Sequence, residues 1–201
     1  MRFIKIPRTF NNLKEGTKFI DVLVYAAIAL HTDEESGKAR IGMRTIAEKY
    51  NISKQKVEEA VARLKKNGFI DYEKLPSLTN DYVFNEYSFP EIKDFLMLKP
   101  ELLDEELKPK DRGILIYLQL SAEYELNDIM AETIQQIADK VGITRQTMSK
   151  YLKSFSDNGY ILAPNKNSRY YMCMYLATER ANERLNERIN YCQPEPVYIM
   201  D

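Results

Sequence analysis

Arg145, Gln146, Ser149, Lys150 and Lys153 are separated by alternating steps of one and three, so a helix running through them would carry all of them on one face. Their chemistry is that of polyanion recognition. Arginine can pair bidentately with guanine O6 and N7, glutamine can do so with adenine N6 and N7, and lysine mainly neutralises phosphate. Lys166 and Arg169 follow in PNKNSRYY, a turn-like stretch, and add two more cations. A related set occurs earlier in the chain. Residues 53 to 70 read SKQKVEEAVARLKKNGFI and residues 144 to 161 read TRQTMSKYLKSFSDNGYI, which marks Lys54, Gln55 and Lys56 as the matching candidates. Glu58 and Glu59 stand there where the later copy has Ser149 and Lys150, so the later copy is the stronger polyanion reader.

The two stretches belong to a longer repeat. A shift of 91 residues places Ile46, Ala47, Lys49, Ile52, Gln55, Asn67, Gly68 and Ile70 over Ile137, Ala138, Lys140, Ile143, Gln146, Asn158, Gly159 and Ile161. Upstream, VLVYAAIAL (22–30) matches ILIYLQLSA (114–122) after a one-residue gap. A fixed period of this size means two copies of one supersecondary unit. Ile20, Leu23, Val24, Ala27 and Leu30 have helical spacing and predict a first helix with one apolar face. A short second helix is expected over 43–50 and over 131–141. Asn51 and Gly142 stand where a helix end needs a left-handed residue, and Ser53 and Thr144 where the next helix needs an N-cap. The third helix buries Val57, Val61 and Leu64, or Met148, Leu152 and Phe155, and stops at Asn67-Gly68 or Asn158-Gly159. Paired β-like runs follow, FIDYEKL with YVFNEYSF and YILA with RYYMCMY. KIPRTF and FLMLKP are comparable extended leads into the two copies.

This order, with its Ser/Thr cap, helix and Gly-aromatic-Ile step into a hairpin, resembles the bacterial winged helix-turn-helix families. The resemblance implies an α+β, mainly helical chain with two tandem winged helix-turn-helix domains, residues 1–90 and 91–178, and a C-terminal helix and tail over 179–201. It also implies that the third helix enters the major groove of double-stranded DNA while the hairpin lies along the backbone. The tandem arrangement is similar to that of bacterial plasmid and phage replication initiators. A transcriptional regulator, or a winged-helix scaffold that binds protein, shares the same pattern.

Charge and composition fit this reading. The net charge is −1, which excludes a molecule that is basic throughout. Yet residues 43–70 carry seven bases against three acids, residues 131–170 six against three, and residues 71–111 are acidic. Cys173 and Cys192 are too few and too isolated for a disulfide framework, and suit a reducing cytoplasm. His31 is the only histidine, and no phosphate-cradling glycine loop occurs, so neither an enzyme nor a cofactor is expected. A tyrosine nucleophile is the catalytic option left open by 14 tyrosines. The most apolar stretch, 19–30, contains Asp21 and is too short to span a bilayer. Ala177, Ala181, Leu185, Ile189 and Cys192 form a narrow stripe, so the last helix docks on its own domain or pairs two subunits as a homodimer.

Overall fold

The computed structural model describes residues 3–11, 17–75, 84–104, 106–123, 129–130, 133–158, 160–162 and 172–173. Contacts divide the chain into two units, residues 1–120 with 140–142, and residues 121–139 with 143–201. The class is α+β, with six α-helices and three small antiparallel sheets among the described residues. The expected C-terminal helix over 179–201 lies outside them.

In the first unit the order is β1 (Ile4–Pro7), α1 (Phe19–Ala29), β2 (Ala39–Ile41), α2 (Met43–Tyr50), α3 (Lys54–Lys66), β3 (Asp71–Lys74), β4 (Asn85–Ser88), β5 (Phe95–Leu98) and α4 (Pro109–Ser121). Strands β2, β4 and β3 form a sheet in that order, with Tyr87 opposite both Ala39 and Tyr72. The two extended leads pair with each other: Ile4 faces Leu98 and Pro7 faces Phe95. Each lead then passes into one 3₁₀ turn, Arg8–Asn11 or Pro100–Leu103.

Helix α1 departs from its expected one-sided burial. Val22, Tyr25, Ala26 and Ile28 are as fully buried as Leu23 and Val24, while Ile20 and Leu30 at the stripe's ends are only half-buried. The reason is its central place, packed by α3, β1, β2 and α2 together. A helix surrounded in this way needs apolar residues all round, and FIDVLVYAAIA supplies them except at Asp21. Helix α4 crosses α1 closely. A Cβ on Gly113 would lie 2.4 Å from the Phe19 carbonyl oxygen, so only glycine fits there, and the Phe19 and Tyr117 rings meet edge to face at 5.5 Å.

The helix ends follow local chemistry. Asn51 takes φ 54° after α2, and the Ile52 N–H closes back on the Ala47 carbonyl at 2.9 Å. The same closure ends α3, with Gly68 at φ 74° and the Phe69 N–H on the Leu64 carbonyl at 2.9 Å. Phe69 is thereby delivered to the core, stacked on Phe10 with ring centres 3.9 Å apart.

The second unit contains β6 (Ala122–Glu123), β7 (Ile129–Met130), α6 (Arg145–Asp157), β8 (Ile161–Leu162) and β9 (Met172–Cys173). Helix α5 (Ile134–Val141) leads into α6. The sheet order is β6-β7-β9-β8. Helices α5 and α6 have the lengths of α2 and α3, and their bounds are displaced by the repeat period. Gly142 takes φ 68°, and the Ile143 N–H bonds to the Ala138 carbonyl at 3.0 Å, as Ile52 does to Ala47.

Asp21 is a fully buried charged residue in the first unit's core, and it receives a bidentate fork from Arg63 of α3 at 2.7 and 2.9 Å. Its carboxylate also accepts the Lys18 N–H at 2.9 Å, which starts α1. The Arg63 side chain keeps 21% exposure, so it can turn towards water if Asp21 is lost, whereas Asp21 has no such escape. We therefore expect Arg63→Ala to destabilise by about 3–5 kcal/mol, the cost of a buried uncompensated charge, and Asp21→Ala by visibly less. Equilibrium denaturant unfolding of both variants would check the order, and equal or reversed losses would refute it.

Candidate nucleic-acid interface

Helix α6 is positioned by burial of Met148, Leu152 and Phe155 and by the Thr144 cap, whose hydroxyl accepts the Thr147 N–H at 3.2 Å. At roughly 100° per residue, Arg145, Ser149, Lys153, Gln146 and Lys150 span an arc of about 140° that starts beside Leu152 and runs round to the side opposite Met148 and Phe155. All of them are exposed. Lys153 is paired with Asp157 on the next turn at 2.7 Å. Arg145, Gln146, Ser149 and Lys150 make no ion pair or side-chain hydrogen bond, so the first two turns offer a full set of unengaged donors. Lys166 and Arg169 lie outside the described residues.

The matching arc of α3 is differently occupied. Lys54 reaches Glu58 at 3.5 Å, and the Gln55 amide donates to Glu59 at 3.0 Å. Lys56 is exposed and has no partner, but it stands about 100° round from Gln55, beyond the arc. The seven bases counted between 43 and 70 are therefore not a free surplus. Arg63 belongs to Asp21, Arg44 pairs with Glu48 at 2.7 Å, and Lys65 pairs with Asp71 at 2.5 Å. The Lys65–Asp71 hydrogen bond holds the Asp71 carboxyl below its ordinary range and raises the Lys65 ammonium. In the adjoining sheet, Glu86 accepts from Lys38 and then Arg40, which keeps its carboxyl low as well.

Sequence reasoning missed one grouping. A cleft of about 540 Å³ between the starts of α2 and α3 and the strands β3 and β4 is lined by Met43, Arg44, Lys54, Glu58, Tyr72, Lys74 and Asn85. Arg44 and Lys74 lie 30 positions apart, so no local pattern could join them. His31 is exposed just beyond α1, and no group of metal-binding side chains occurs among the described residues.

The architecture is thus that of an α+β protein in which helix pairs joined by tight turns lead into small antiparallel sheets. No helix among the described residues is long and apolar enough to cross a membrane. Comparison with protein-family models, curated proteins and solved structures finds no match.

The Thr144 hydroxyl both accepts the Thr147 N–H and shares a 2.8 Å hydrogen bond with the Thr147 hydroxyl, so it fixes the turn that carries Arg145 and Gln146. Thr144→Ala should cost about 1 kcal/mol through the lost cap, and Thr144→Ser far less. Denaturant unfolding of the two variants tests this, and an alanine as stable as the serine would count against it.

Proposed function

We propose that this chain binds double-stranded DNA through two winged helix-turn-helix modules, with α3 and α6 as recognition helices and the hairpins behind them as wings. The order α1-β2-α2-α3-β3-β4, with its central β4, supports the winged-helix reading of the first module. The sheet order β7-β9-β8 beside α5 and α6 repeats that arrangement and supports the second. The single observation that carries the DNA reading is the unengaged quartet Arg145, Gln146, Ser149 and Lys150 on the opening turns of α6. On a recognition helix those turns approach base edges. The tandem sequence pattern, which resembles that of plasmid and phage replication initiators, extends the proposal to recognition of repeated origin sequences.

Selection of bound sequences from random duplex DNA is the direct test. Arg145→Ala or Gln146→Ala should relax preference at one or two base pairs, since a bidentate pair discriminates by about 1–3 kcal/mol. Lys150→Ala should instead weaken all duplexes alike and lower the salt slope by about one. Selected motifs and salt slopes that none of these variants alters would remove α6 from the interface.

The copies also allow a gain-of-function test. Glu58→Ser with Glu59→Lys gives α3 the residues of α6 at both positions and releases Lys54 and Gln55 from their carboxylates. If α3 faces DNA, duplex affinity should rise about three- to tenfold at moderate salt, and the salt slope should steepen by about one. Unchanged binding by the double variant would mean that α3 does not face DNA.

A further inference from the structure

Beside the C-terminal half of α1, the first unit holds a cavity of about 560 Å³, within the range of roughly 300–1,000 Å³ that small-molecule sites occupy. Its lining includes Phe3, Lys5, Tyr25, Asp33, Glu34 and Phe89. Phe3 and Phe89 supply its accessible aromatic surface, and Tyr25 packs against Phe89 behind that surface. Tyr25 is fully buried, Phe3 and Phe89 are half-buried, and the Tyr25 and Phe89 rings meet edge to face at 5.6 Å. The Tyr25 hydroxyl has no hydrogen-bond partner, although buried hydroxyls as a rule have one.

The rim is acidic. Asp33 and Glu34 are both exposed, and Asp33 is held in its charged form by the Ser36 N–H and hydroxyl, each at 2.8 Å. Those hydrogen bonds lower its carboxyl below the ordinary value. Glu34 has no partner. Lys5 is the cation in the lining, and its ammonium sits over the Phe95 ring at 5.0 Å. Aromatic faces and carboxylates together attract a positive charge carried on an apolar body, while an anion would meet both carboxylates.

We infer that this cavity binds a small organic ammonium ion, an amine on an aromatic or short alkyl body. None of its lining residues lies on α3 or α6, so the site stands or falls independently of DNA binding. The test is calorimetric titration of the full chain with phenethylamine and, as the anionic counterpart, phenylacetate. Phenethylamine should give saturable binding, and phenylacetate should bind at least about tenfold more weakly. Glu34→Gln, an exposed change that leaves the fold intact, should weaken phenethylamine by several-fold, and Phe89→Leu should do likewise. Absence of saturable phenethylamine binding up to about 10 mM, equal binding of the two probes, or indifference to Glu34→Gln would overturn the assignment.

Discussion

The buried pair between Asp21 and Arg63 is the constraint around which the first unit is arranged. A carboxylate with no solvent exposure, placed in the central helix, carries a desolvation penalty of several kcal/mol. That penalty is tolerated because three N–H donors converge on the carboxylate, two from the guanidinium and one from the Lys18 backbone. The consequence is geometric. Arg63 can reach Asp21 only if α3 is turned to put Val57, Ala60, Val61 and Leu64 inward, so the pair fixes the face that α3 shows to solvent. It also removes Arg63 from any surface role, since a guanidinium held by two carboxylate bonds does not leave for a phosphate.

The second copy does without this device. With the one-residue gap in the repeat, Asp21 corresponds to Gly113 and Arg63 to Ser154. Both members are absent together, which avoids the costly case of a buried carboxylate left without its guanidinium. Gly113 instead permits backbone approach, with Phe19 where a side chain would have stood. One supersecondary plan thus serves a helix that is tied by an ion pair and a helix that packs by proximity. The shared parts are the caps and the turn closures, which recur at Asn51 and Gly142 and at Ser53 and Thr144.

Those shared parts explain what could be read from the amino acids alone. Caps, left-handed stops and apolar spacing act over four or five residues, so the positions of α2, α3 and α6 were legible, as was the end of α5, whose start was expected at 131 and lies at Ile134. Longer-range features were not. The all-round burial of α1 depends on elements that surround it from four directions, and helical spacing reports one face at a time. The leads at 4–7 and 95–98 looked like echoes of duplication, but their pairing with each other spans the whole first unit. In the site, the exposed arc of α6 followed from its apolar positions. The capture of Arg63 and the cleft that joins Arg44 to Lys74 needed the tertiary structure.

Counting charges along a segment therefore misjudges what a polyanion would meet. On the opening two turns of α3, the outward arc holds Lys54, Gln55, Glu58 and Glu59, and every long polar arm has a partner. On α6 the same positions hold Arg145, Gln146, Ser149 and Lys150, and none is engaged. The intrahelical pairs of α3 are not what separates the two, since exposed pairs of this kind are worth only about 0.3–0.5 kcal/mol and would yield to a phosphate. The carboxylates themselves are the larger obstacle, because they would remain beside the backbone charges after their partners had moved. The arc of α6 is thus open to an anion, while that of α3 opposes one until its carboxylates are removed. The two helices share their length and their type of cap, and two side chains on each set the charge that an anion would meet.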